Sequence, residues 1–185
     1  MTPKQYKEFV HLQALSKLGL NFLNSDEDKM KTVYIEMLNN ATSEFRIFAG
    51  TLACDVTNSS EFIETLSDYI ERGGFLHILL NDYKKEIVLE SQLFKRLAYY
   101  QSQKKAIVVK QSIDHPYINT QDGPTYVHFA LGDKTSYRVE TDIQKRTAIC
   151  NMNNPELTTK YAEFFDKLFE KPESTDINLV QLFKL

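Results

Sequence analysis

The six residues Phe75 to Leu80, FLHILL, follow Gly73-Gly74 as an almost unbroken apolar run. A strand wet on one face alternates apolar and polar side chains. A run that does not alternate belongs to a strand covered on both faces, inside a sheet layered between helices. The residues before it agree. Phe62, Ile63, Leu66, Tyr69 and Ile70 recur at helical spacing, Asn58 and Glu61 bracket the helix start, and the glycine pair supplies a left-handed stop.

The same switching of period runs through the chain. Residues 4–23 read as a helix with Phe9, Leu12, Leu15, Leu20 and Phe22 on one side. Ser25 and Asp28 resemble a capping box for a second helix, whose stripe is Met30, Val33, Tyr34, Met37, Leu38 and Ala41. FRIFAGTLA (45–53) reads as a strand, 84–101 as a helix, AIVVK (106–110) as a strand and 111–124 as a loop. TYVHFAL, TSYRVE and RTAICNM then read as three strands. Asn154 caps a last helix with Pro155 in its first turn and Leu157, Tyr161, Phe164, Phe165, Leu168 and Phe169 as its stripe. The expected fold class is α/β, a mixed sheet with helices on its faces. With no repeat or low-complexity linker, 1–185 reads as one domain: N-terminal helices (1–43), an α/β core (44–170), and a tail (171–185) docked on the body or a partner.

Composition narrows the function classes. The chain has 185 residues, of which 42% are hydrophobic and 25% charged, the balance of a folded soluble domain. A net charge of -3 and a pI near 5.8 argue against general affinity for nucleic acid, which needs a basic surface. No apolar run approaches a membrane span, and the N-terminus lacks the core and cleavage site of a signal peptide. Cys54 and Cys150 form no CxxC, and His11, His77, His115 and His128 show no HxxxH or HExxH spacing, so no metal or other cofactor is expected. His77 reads as a core histidine and His115 as a solvated loop residue. A cytoplasmic protein with reduced thiols is expected.

YVHFALGDKTSYRVETD (126–142) holds the candidate chemistry. Val127, Phe129 and Leu131 face one way; Tyr126, His128 and Ala130 face the other. On the second strand Tyr137 and Val139 oppose Ser136, Arg138 and Glu140. Placing both apolar sets in one layer requires an odd loop, and Gly132-Asp133-Lys134 would set His128 opposite Arg138. On that shared face His128 could act as base or nucleophile, Arg138 as an anion clamp, and Glu140 as the group that orients either. A half-buried histidine beside a structural ion pair is the plainer alternative.

A strand with a histidine, a short turn with an aspartate, a second strand, a strand ending in asparagine and a helix resemble one half of the phospholipase D superfamily. IFAGTLACDV and FIETLSDYIERGGFLHILLND are similar to its first strand, helix and second strand, so the resemblance covers most of 44–170. It implies an HxK-x4-D motif in which histidine attacks phosphorus and forms a phosphohistidine, while the lysine and a downstream asparagine hold the phosphate oxygens. Two such motifs meet. Here His128 is kept, Ala130 stands at the lysine position and Thr135 at the aspartate position, with Asp133 two residues earlier. Lys134 or Arg138 would have to replace the lysine. Asn151 or Asn153 would match the asparagine.

The resemblance thus implies a degenerate site, a non-catalytic domain that binds a protein partner or a phosphate-containing ligand. The alternative is a phosphodiesterase or nuclease active as a homodimer through paired His128, since the chain holds one motif only. An unrelated α/β domain whose hairpin imitates the motif is the third reading, and a different strand order would support it.

Overall fold

The computed structural model describes residues 1–120 and 123–185. Its elements are α1 (Pro3–Ser16), β1 (Phe22–Asn24), α2 (Glu27–Asn40), β2 (Glu44–Ala49), α3 (Asp55–Asn58), α4 (Ser60–Glu71), β3 (Phe75–Leu80), α5 (Lys85–Glu90), α6 (Gln92–Ser102), β4 (Ile107–Gln111), β5 (Tyr117–Thr120), β6 (Gly123–Tyr126), β7 (Phe129–Gly132), β8 (Ser136–Asp142), β9 (Thr147–Asn151), α7 (Pro155–Phe169), β10 (Thr175–Asp176) and α8 (Leu179–Phe183). Eight strands form one sheet in the order β1-β9-β8-β7-β2-β3-β4-β10, and β5 and β6 form a separate hairpin. Strands β2, β3 and β4 run parallel; all other neighbours are antiparallel.

The sheet lies between unequal layers. On one face Val10, Met37, Leu66, Leu97 and Leu179, from α1, α2, α4, α6 and α8, pack on Phe45, Ile47, Leu76 and Ile78. On the other, α7 lays Phe165 and Leu168 on Phe48, Leu79, Phe129 and Val139. FLHILL is β3, covered on both faces as its pattern requires: Leu76, Ile78 and Leu80 point to the first layer and Leu79 to the second. His77 packs against Phe169, with tilted rings whose centroids are 5.0 Å apart, and burial holds its pKa below the ordinary value.

Several boundaries differ from the sequence expectation. Helix α1 ends at Ser16, because Lys17 takes a left-handed conformation (φ 52°) and the chain must turn at Gly19 (φ 68°). A Cβ on Gly19 would meet the Asn153 carbonyl oxygen at 2.7 Å, so the turn needs glycine twice over. Phe22 is therefore buried from a strand, while Leu12, Leu15 and Leu20 are exposed; the buried face of α1 is Tyr6, Val10 and Ala14. The cap of α2 is Asp26, which accepts from the Lys29 N–H, in place of Ser25 and Asp28. The expected 84–101 helix breaks at Ser91, whose hydroxyl caps α6 by accepting from the Phe94 N–H and donates to Asn58 Oδ1. The expected loop at 111–124 contains β5 and the start of β6. The stripe of α7 is rotated slightly, leaving Phe164 exposed and burying Thr158 and Ala162. The tail packs on the body: β10 extends the sheet beside β4, and Leu179 enters the core.

Candidate functional site

The β7–β8 hairpin has the expected parity and a different register. Gly132 pairs with Ser136 and Ala130 with Arg138, so the three-residue loop is Asp133-Lys134-Thr135. The slide relative to Gly132-Asp133-Lys134 is two residues, which keeps every side chain on its face but changes each partner. His128 therefore stands opposite Glu140, whose N–H donates to the His128 carbonyl at 2.8 Å. Arg138 stands opposite Ala130, the position of the absent lysine.

Around His128 the polar groups form a chain. Its Nδ1 lies 3.2 Å from Glu140 Oε2, and Arg138 Nη2 lies 3.1 Å from Glu140 Oε1. Arg138 is 1% exposed and Glu140 is 2% exposed. Arg138 Nε donates to Asn24 Oδ1 at 2.8 Å, and its Nη2 also donates to the Arg146 carbonyl at 3.2 Å. The guanidinium carbon sits 5.3 Å from the centre of the Tyr34 ring. Burial alone would raise the Glu140 carboxyl, but the His128 hydrogen bond and the Arg138 charge outweigh it and hold the pKa below the ordinary value. Burial pushes the Tyr34 hydroxyl up to about 12, so it stays a neutral face for the guanidinium. Buried charges are tolerated here because each is paired and hydrogen-bonded.

With Nδ1 engaged by Glu140, the other side of the ring, Cε1 and Nε2, faces Gly50. A Cβ there would lie 3.3 Å from Cε1 and 3.7 Å from Nε2. The ring borders a cavity of about 200 Å³ whose wall includes Gly50, Cys54, Asp82, Glu140 and Arg146. Gly50 follows β2 and Asp82 follows β3, so the cavity opens beyond the carboxyl ends of the parallel strands, the usual place for ligands in open α/β sheets. Leu52, also in its wall, holds a left-handed backbone (φ 54°), fixed in part by Thr57 Oγ1 donating to its carbonyl at 2.6 Å.

The remaining sequence candidates lie elsewhere. Asp133, at the hairpin tip, accepts the N–H groups of Thr42, Ser43 and Glu44 and the hydroxyls of Thr42 and Ser43. Burial would raise its pKa, but those backbone donors hold it below the ordinary carboxylate value. Its place is to anchor the start of β2, away from His128. Lys134 is exposed beside it, with all of β7 between it and His128, so it cannot stand in for the missing lysine. Arg138 is the right type on the right face, but its guanidinium is committed inside the protein. Asn151 Nδ2 donates to Gly19 O and Asn21 Oδ1, and Asn153 Nδ2 donates to Lys17 O. Both tie down the 17–21 turn, and neither lines the cavity.

Sequence reasoning missed Asn24, Tyr34, Gly50, Asp82 and Arg146. Asn24 is fully buried at the end of β1, one residue past the helix expected over 4–23, so nothing marked it. The GlyThr after FRIFA and the AsnAsp after FLHILL were the available signals, because loops after parallel strands are where such folds keep their ligand groups. Among the described residues no group of acidic, histidine and cysteine side chains could hold a metal ion, and no helix is long and apolar enough to cross a membrane.

No protein-family model matches the sequence, and no curated protein sequence does. Solved structures do match. TrmBL2, an archaeal chromatin protein described with a novel mode of DNA binding, superposes with a TM-score of 0.58 at 16% identity, over 94% of this chain and 61% of that one. This chain thus spans less than two thirds of TrmBL2. Nuc from Salmonella typhimurium, a phospholipase D family member, matches with a TM-score of 0.57 at 12% identity, over 85% of this chain and 99% of that one. NucT from Helicobacter pylori matches with 0.54 at 13%, over 85% and 99%. Identities this low carry the fold and no more. The strand order, the layering and these superpositions together give the chain a phospholipase-D-like α/β fold.

Proposed function

We propose that the chain is a degenerate phospholipase-D-like domain that binds a phosphate-bearing ligand at His128 without efficient turnover. The observation behind this reading is one arrangement. Buried Glu140 fixes His128 Nδ1 and leaves Nε2 to the cavity, while the position that would carry a phosphate-holding lysine is the fully buried Ala130. An imidazole whose Nδ1 is held by a carboxylate presents Nε2, which donates to an anion when the ring is protonated and accepts a proton from a ligand when it is not. Without a lysine beside it, the charge stabilisation that drives phosphoryl chemistry is reduced. Free Cys54 and Cys150, with the Cys150 thiol raised to about 12 by burial, suit a reduced, cytoplasmic setting.

The test is a titration with bis(4-nitrophenyl) phosphate, following the His128 ring signals by NMR and nitrophenol release by absorbance. Shifted His128 signals with negligible release are expected. Rapid release that disappears in His128→Ala would replace this reading with the alternative, a phosphodiesterase. The His128–Glu140 pair, which fixes the ring as a nucleophile needs, favours that alternative. It also requires a second His128, so sedimentation should then show a homodimer. The superposition on a DNA-binding chromatin protein raises nucleic acid as a ligand, but a net charge of -3 weighs against a polyanion.

A further inference from the structure

Arg146 lines the His128 cavity, and among the described residues its guanidinium has no carboxylate or carbonyl partner. The other cations near the site are engaged. Arg138 is paired with Glu140, and Lys84 lies 3.0 Å from Asp82. Lys145, next in the chain, is paired with Asp142 at 3.4 Å.

The backbone of Arg146 is held with equal care. It adopts a left-handed conformation (φ 56°) in the turn between β8 and β9, which costs an arginine roughly 1 kcal/mol or more. Its carbonyl accepts from Asn24 Nδ2 at 2.6 Å and from Arg138 Nη2 at 3.2 Å. The groups that carry Glu140, and through it His128, therefore also fix the turn that presents Arg146. Strain of this kind persists where the surroundings over-determine it.

We infer that Arg146 is the anion-holding cation of this pocket, filling from the β8–β9 turn the role that Ala130 cannot fill from β7. The inference rests on the phosphate-binding reading above and adds the residue and the charge of the ligand. Arg138 and Glu140 cancel, as do Lys84 and Asp82. Arg146 then leaves one positive charge that no carboxylate among the described residues offsets. That single charge suits a singly charged phosphate diester better than a doubly charged monoester, whose second charge the one guanidinium would not balance.

The probes are dimethyl phosphate and methyl phosphate at pH 7.5, titrated into the intact chain while His128 Cε1–H is followed by NMR. Dimethyl phosphate should bind more tightly than methyl phosphate. Arg146→Gln should weaken it about tenfold or more, Arg146→Lys should recover part of the loss, and Lys145→Gln should change nothing. Melting curves confirm that each variant is folded. Thymidylyl-thymidine and glycerophosphocholine form two further arms: the one whose binding is lost in Arg146→Gln identifies a nucleic-acid-derived or lipid-derived diester. Equal binding by wild type and Arg146→Gln would overturn the role of Arg146 and leave the His128 pocket standing. Tighter binding of methyl phosphate would overturn the charge argument. No shift at His128 with any of the four probes would overturn both the inference and the reading beneath it.

Discussion

The tip of the β7–β8 hairpin and its open end both carry a carboxylate, a cation and hydrogen-bonding side chains from β8, β9 and the turns. At the tip, Asp133 accepts from three backbone N–H groups, and Asn151 and Asn153 hold the 17–21 turn. Those groups are engaged with backbone and neighbouring side chains, and the cation of the hairpin loop, Lys134, is exposed. At the open end the buried pair Arg138–Glu140 is equally engaged, yet it supports two groups that, among the described residues, are not: the Nε2 side of His128 and the guanidinium of Arg146. Residue type alone does not make a site. A site arises where a satisfied layer of polar groups holds up an unsatisfied one.

The sharpest way to break that contrast is to remove the supporting layer. Glu140→Ala leaves Arg138 buried without its counter-charge, and we expect a loss of about 3–5 kcal/mol in urea unfolding. Glu140→Gln should cost less and should flatten the acid limb of the stability curve. The folded pKa of Glu140 is depressed, so its contribution is complete above its unfolded value, 4.5, and is lost as pH falls through the lower folded value. Asp133 acts in the same direction from its own ordinary value of 3.8. A wild-type stability that stays flat from pH 5 down to pH 3 would contradict both assignments.

Restoring the family-like lysine is the next test. Ala130 is fully buried, directly across the ladder from Arg138. A lysine there would add volume and a second charge against an arginine already enclosed. Ala130→Lys should therefore destabilise by about 3 kcal/mol and create no activity. A stable Ala130→Lys that releases nitrophenol would show that the decay of this site is a single substitution deep.

At the tip, Asp133→Ala should lower stability by about 2 kcal/mol, because charged hydrogen bonds to three amides are lost at a half-exposed position. It should leave the binding of dimethyl phosphate unchanged. Weakened binding would mean that the two ends of the hairpin are coupled, contrary to their separation along β7.

Much of this contrast was legible in the sequence, and the part that was not has a physical cause. FLHILL specified a doubly covered strand, and the parity of VHFAL against SYRVE favoured the side chains that share the His128 face, because both apolar sets fall in one layer only with an odd loop. The register was not legible to two residues. GDK and DKT both give an odd loop, and the choice is made by Asp133 capping the start of β2, ninety residues away. The first strand was hidden for a related reason. Leucines in 12–23 continue a helical rhythm, but the turn at Gly19 is fixed by the closeness of Asn153, a contact from the far end of the chain. Asn24 and Arg146 were invisible because their importance lies in each other: an amide that donates to a strained turn and accepts from a buried arginine looks, in sequence, like any other surface asparagine.

The mildest perturbation probes the unsatisfied layer alone. Gly50 has no left-handed φ, so alanine is allowed by its backbone, and the nearest atoms to the new methyl would be the His128 ring edge and the Asp82 Cβ at 3.9 Å. A contact of 3.3 Å to Cε1 requires a shift of a few tenths of an ångström, which a ring tethered through Nδ1 can make by tilting. Gly50→Ala should thus change stability by less than about 1 kcal/mol. It should still weaken dimethyl phosphate binding several-fold, because the methyl occupies the approach to Nε2. The same substitution with unchanged binding would place the anion on the Cys54 side of the cavity, away from the histidine. Stability and binding would then be separated by a residue whose nearest neighbour is the His128 ring.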